Sequence, residues 1–167
     1  MRTRAYFDTL WGDEWPRVDQ LEPYFRLSPA GVSPIQARKG EGNFSIEGVD
    51  GTEHLGRENG RVDVQLLLWT DPVFGGLLQH QKTGGGIRET HLSKGDLQRR
   101  LEWVFSASGT PLSVGLFVPI DKAWGALKQF IEAKGNLPDA IEWVDERNLP
   151  ADTFPPPHEW KRLKRAI

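Results

Sequence analysis

Apolar residues recur at Ala123, Trp124, Leu127, Phe130 and Ile131, the i, i+1, i+4, i+7, i+8 spacing of one helical face, while Lys122, Lys128, Gln129 and Glu132 fall opposite. The pattern predicts a helix over residues 121–134. Asp121 suits its N-cap or first turn, where a carboxylate accepts from unpaired N–H groups. Lys134 stands in the last turn, Gly135 follows as the left-handed C′ residue, and Pro138 bars continuation. Residues 140–144 then read as a short strand. Gly125, in mid-helix, costs about 1 kcal/mol relative to Ala. It reads as a place where the helix backbone comes close to a sheet.

Upstream, the pattern changes period. Residues 61–70, RVDVQLLLWT, alternate Val62, Val64 and Leu66 with polar neighbours and then run on through Leu67, Leu68 and Trp69. That is the pattern of a central strand covered on both faces at one end. Asp71-Pro72 ends it. Residues 73–82 pair back as the next strand, with Gly75-Gly76 as a bulge or bend. Residues 83–86 form a flexible tip and 87–92 another strand. Phe44, Ile46 and Gly48 alternate along 43–49, and 48–60 is rich in turns. Residues 96–106 fit a helix by Leu97, Leu101, Val104 and Phe105, and an alternating strand by Leu97, Leu101, Trp103 and Phe105. Trp103-Val104-Phe105 decides for a strand from about Leu101. The first 42 residues read as helix and loop: one or two short helices within 5–27, bounded by Pro16 and Pro23, then a Pro- and Gly-rich loop over 28–42.

These elements predict an α+β fold, a mainly antiparallel sheet with a C-terminal amphipathic helix followed by a final strand. The expected organisation is a single domain over 1–157. It has a helical or loop part (1–42), a sheet plus helix (43–147) and a Pro-rich extension (148–157) that runs over the surface or packs Phe154 back on the body. A basic tail, 158–167, follows as a solvated helix turn.

Composition narrows the function. The chain of 167 residues has no cysteine, which excludes disulfides and thiolate zinc sites. No apolar run approaches a membrane span, and the N-terminus lacks the apolar core of a signal peptide, so a cytoplasmic protein is expected. The formal net charge of −2 is uneven: four basic residues against Glu159 in the last ten leave −5 for residues 1–157. An acidic body argues against nucleic acid or membrane as direct partner and fits a basic protein partner.

Chemistry-bearing motifs are scarce. His54, His80, His91 and His158 are scattered, with no H-x-x-x-H pair, and His80 and His91 read as surface histidines. Lys82-Thr83-Gly84 lacks the S-x-x-K nucleophile motif that must accompany it. Gly84-Gly85-Gly86 lacks the Gly-Lys-Ser/Thr of a phosphate loop. No catalytic residue, metal ligand or cofactor site is assigned, and the chain reads as a non-enzyme. Seven tryptophans are many for this length. Trp124 and Trp143 read as core; Trp11, Trp15 and Trp160 read as core or contact anchors. Exposed acids on loops and strand ends near the 84–86 tip, Asp71, Glu89 and Asp96, are candidate partner-binding residues. His91 and Trp103 would add hydrogen-bonding and aromatic contacts. The run Glu142, Asp145 and Glu146 is the alternative edge.

Residues 118–143 carry a further signal: a strand ending in Val118-Pro119, Asp121-Lys122-Ala123, a helix with Phe130, then Lys134-Gly135-Asn136-Leu137-Pro138 and Ile141-Glu142-Trp143. This resembles the C-terminal signature of the first-numbered immunity-protein family of bacterial polymorphic toxin systems. Residues 61–82 loosely resemble that family's preceding hairpin. The resemblance implies a protein without catalytic residues that binds a cognate toxin domain and occludes its active site. The family's partners include nucleic-acid deaminases and other toxic enzymes. A non-catalytic adaptor, or a small enzyme with a convergent polar pocket, are the alternative functions.

Overall fold

The computed structural model describes residues 1–167. In chain order its regular elements are β1 (Arg2–Phe7), β2 (Leu10–Gly12), α1 (Val18–Phe25), α2 (Pro34–Ala37), β3 (Glu41–Val49), β4 (Val62–Asp71), β5 (Gly75–Gly84) and β6 (Ile87–Ser93). β7 (Trp103–Phe105), β8 (Pro111–Ser113), α3 (Ile120–Glu132), β9 (Trp143–Asp145) and α4 (Trp160–Ala166) follow. Seven strands form one antiparallel sheet in the order β2-β1-β3-β4-β5-β6-β9; β7 and β8 make a separate hairpin. The fold is α+β, with the large antiparallel sheet, the amphipathic helix and the final strand all present.

β4 is the middle strand, as its sequence pattern demands. Val62, Val64, Leu66 and Leu68 face the main core with Phe44, Ile46, Leu78 and the buried side of α3. The opposite, outer face is covered only at one end. There Leu77, Leu92, Leu112, Leu116 and Phe117 form a second core, with Trp69, Val104 and Val144 against it. This explains why β4 alternates at its start and turns continuously apolar at its end.

α3 buries Ile120, Ala123, Ala126, Leu127 and Phe130. Trp124 stacks on Phe25 of α1 at 4.8 Å, and Trp15 stacks on Phe130 at 5.1 Å. The helix ends one residue earlier than the capping rule suggested. Lys134 is the left-handed C′ residue at φ +50, and Gly135, at φ +99, is C″. Gly135 N–H donates to Phe130 O and Lys134 N–H to Ile131 O, the two bonds of a Schellman turn. A Cβ on Gly135 would meet Ile46 Cγ2 at 3.0 Å, so the turn needs glycine for space as well as for φ.

Several further expectations are corrected. The first 42 residues are not only helix and loop: β1 and β2 form a hairpin that extends the sheet past β3. Only Ala5 and Phe7 of β1 are buried, while Tyr6 is exposed, so its alternation is hidden from a hydrophobicity count. Within 28–42, Pro34 opens α2 and the Gln36 side chain accepts from Ser33 N–H at 3.0 Å. Pro23 lies inside α1 rather than bounding it.

Gly75-Gly76 is no bulge, since β4 and β5 stay in register down to Asp71↔Gly75. These glycines instead admit a third segment: Gly76 and Val118 exchange both backbone bonds at 2.9 Å, and a Cβ on Gly75 would stand 2.2 Å from Val118 O. Gly125 has nothing within 4 Å of its would-be Cβ, so no backbone approaches it. At the C-terminus Phe154 is 41% exposed and the 151–153 turn buries Thr153, so of the two readings of the Pro-rich extension the surface course holds. The basic tail is not merely solvated. α4 docks through buried Leu163 and carries Lys164 over the Phe105 ring at 5.9 Å.

Gly125→Ala should therefore stabilise the protein by about 1 kcal/mol. Phe130→Ala, at a side chain 0% exposed, should cost about 3–5 kcal/mol. Lys128→Ala on the solvent face should stay within about 0.5 kcal/mol. Denaturant midpoints of the three variants check this; a destabilised Gly125→Ala protein would mean that face of α3 has a neighbour.

Candidate functional site

The candidate partner residues do not form one face. Asp71 is buried, not exposed: its Oδ2 accepts from the backbone N–H of Val73 and Phe74 at 2.9 and 3.1 Å, and Lys39 Nζ lies 3.6 Å from Oδ1. An Asp-Pro turn uses its carboxylate internally, so it is unavailable to a partner. Asp96 is exposed but caps the short 3-10 turn after β6, accepting from Gln98 N–H at 3.1 Å. Trp103 is half-buried on β7, its indole N–H toward Thr153 O at 3.4 Å. Asp71 sits opposite Gly75 and Glu89 opposite Lys82, seven residues further along β5. That is roughly 23 Å of strand.

Glu89 and His91 do come together with other groups. Both lie on β6 and face the same side as His80 and Lys82 of β5, in the register His80↔His91 and Lys82↔Glu89. The C-terminal turn of α3 closes over them. The result is a cleft of about 320 Å³ lined by Asp50, His80, Lys82, Glu89, His91 and Asn136, among others. His80 is 4% exposed, which corrects its reading as a surface residue. Its Nε2 lies 2.9 Å from Gly135 O. A carbonyl only accepts, so Nε2 carries the proton and the neutral ring's Nδ1 holds a lone pair. Nδ1 has no protein partner, and it is not sealed off, since Thr153 Oγ1 is the one buried side-chain polar atom left unsatisfied. The ring packs edge-on against Phe130 and Trp143. Burial pushes the His80 pKa down, outweighing the bond to Gly135. His91 stands beside it, but no group of three or more His, Cys, Asp or Glu residues is placed to hold a metal. Lys82 is engaged by Asp50 at 2.7 Å.

Beyond His91 lies β9, the edge of the sheet, with Asp145 opposite His91. Asp145 accepts from Arg147 backbone N–H, Nε and Nη2 at 2.9, 3.1 and 2.8 Å. Those bonds, led by the side-chain pair, pull its carboxyl down to about 2. Glu89, Glu142 and Glu146 are exposed and form no ion pair. Residues 139–152 carry Asp139, Glu142, Asp145, Glu146 and Asp152 against Arg147 alone, a net −4. The alternative edge of the sequence reading is thus the acidic one. The signal for it was present as a charge run.

Neither a protein-family model nor a curated protein matches the chain. No helix is long and apolar enough to cross a membrane.

The depressed His80 pKa gives a signed pH dependence. The unfolded imidazole titrates near 6.5, while the folded one resists protonation. The contribution of His80 is therefore full above about pH 6.5, is lost as pH falls toward the lower folded pKa, and levels off below it. His80→Gln should flatten that part of the stability–pH curve, and His80→Ala should destabilise the protein at neutral pH, whereas His91→Ala should not. Denaturant melts over a pH series check all three; equal behaviour of the two histidine variants would contradict the placement of His80.

Proposed function

We propose that this protein is a non-catalytic inhibitor of the immunity type, which binds a basic toxin domain through the β6–β9 edge and occludes its active site. The observation that carries the reading is the unpaired acidic run on an open sheet edge: Glu142 and Glu146 flank β9, and Glu89 stands one strand in. The resemblance of residues 118–143 to the immunity signature supports it independently. That segment is α3, its C-terminal turn and the start of β9, the part of the chain that borders the acidic edge. An enzyme that processes nucleic acid needs a basic groove for phosphates. An inhibitor that fills such a groove gains steering and specificity from carboxylates held ahead of the contact surface. Short β9 adds an edge at which main-chain groups face outward.

One observation favours a second reading. The cleft around His80 is the convergent polar pocket that a small enzyme would need, with a neutral imidazole nitrogen open beside Glu89 and His91. The two readings part on mutation. His91→Ala would abolish an activity centred on the cleft, but would leave protection from a toxin largely intact.

The test co-expresses this chain with candidate basic toxin domains, taken first from any encoded beside it. Co-expression with the wild-type chain should restore growth. Replacing Glu89, Glu142 and Glu146 together by Gln should slow association about tenfold or more at low salt, flatten its salt dependence and leave the melting temperature unchanged. A wild-type chain that neither binds nor protects would overturn the reading. A triple variant with unchanged association would remove the acidic edge from it.

A further inference from the structure

At the other end of the sheet, six strands away from β9, the outer face is bare. There the β1–β2 hairpin sets Tyr6 and Trp11 directly opposite each other. Tyr6 is 55% exposed and Trp11 80% exposed, and Trp11 belongs to neither core. Their rings adjoin an open groove of about 680 Å³ lined also by Arg4, Asp13, Asn43 and Ser45. We propose that this groove binds a neutral oligosaccharide.

The chemistry of the lining selects that ligand. A pyranose has an apolar C–H face and a rim of hydroxyls, each of which both donates and accepts. Two exposed aromatic side chains on directly paired residues offer an apolar surface for the first. The second needs planar polar groups with free donors and acceptors in balance. Arg4 and Asp13 supply one of each and pair only loosely, at 3.9 Å from Nε to Oδ1, with side chains 59% and 81% exposed. Asn43 is oriented, because its Oδ1 accepts from Gln65 Nε2 at 2.9 Å and its NH2 is left over. Arg4 and Asp13 are the only charged groups in the lining, and they cancel. A phosphate or a basic peptide therefore meets no net field here, in contrast to the acidic edge.

The platform is also rigid. Trp15 Nε1 donates to Arg4 O and Ser45 O at 3.0 and 2.9 Å, pinning β1 to β3 behind the groove, and Thr3 Oγ1 donates to Asp13 O. Trp11 also lines a second groove of about 280 Å³, together with Leu10, Glu14, Trp15, Pro16, Arg17 and Gln20. Because Trp11 lines both grooves, a chain of sugars can use more of its surface than one ring can, which favours an oligosaccharide.

The proposal is independent of the immunity reading and is tested on the isolated full chain. The labelled protein is applied to an array of neutral glycans built on glucose, mannose, galactose and N-acetylglucosamine, and positives are titrated calorimetrically. At least one class should bind with a dissociation constant of about 1 mM or below. Trp11→Ala should weaken it at least tenfold (roughly one step in affinity), and Asp13→Asn should weaken it without removing a ring. Both substitutions are at exposed sites, and both variants should melt with the wild type. Absence of binding across the array overturns the proposal. So does binding that both variants retain.

Discussion

His80 donates from Nε2 to the carbonyl oxygen of Gly135, and much of the molecule is arranged around that bond. The imidazole is buried on β5, so its N–H must find an acceptor. The acceptor is the carbonyl of Gly135, the C″ residue of the Schellman turn that closes α3. Gly135 is glycine because φ there is positive and because Ile46 leaves little room. The same imidazole links Phe130 on one side to Trp143 on the other, with Trp15 stacked beyond Phe130. Trp143 in turn donates to Pro138 O at 2.6 Å, fixing the turn that leads into β9. One aromatic row thus runs under the helix toward the sheet edge and sets where β9 begins.

That constraint decides what the edge can offer. β9 is only three residues long and is flanked by unpaired acids, so it presents charge rather than a long hydrophobic template. Asp145 is kept ionised by Arg147, which also cancels its charge locally. Glu89, Glu142 and Glu146 carry the field outward. The opposite edge is chemically different, with two rings and a cancelled ion pair. A single sheet therefore separates a charged surface from a neutral one by its full width.

Much of this was legible in the sequence where a long element declared its period. The α3 pattern, the central position of β4 and the β5–β6 hairpin follow from apolar spacing, which local chemistry reinforces. β1 was not legible, because Tyr6 and the paired arginines Arg2 and Arg4 conceal a strand whose buried side is just Ala5 and Phe7. Gly75 and Gly125 look alike as interruptions, yet one admits the backbone of Val118 and the other faces open space. Only tertiary context separates them. The same holds for the candidate site. Asp71 looked free because an Asp-Pro turn gives no hint that two backbone N–H groups occupy its carboxylate. His80 looked superficial because it alternates with Gln79 and Gln81, and its burial depends on a helix turn 55 residues away. Glu89 and His91 lie on the β5–β6 hairpin, a position that the sequence pattern gives; the residues that β9 brings beside them depend on the return of the chain.

The most direct test of the proposed recognition surface is backbone hydrogen exchange of the free chain against the chain mixed with a candidate basic toxin domain that it protects against. Protection should rise over β6, β9 and the turn from Lys134 to Glu142, and stay unchanged over β1 and β2. Protection confined to the β1–β2 hairpin, with none on β6 and β9, would contradict the placement of the recognition surface on the acidic edge.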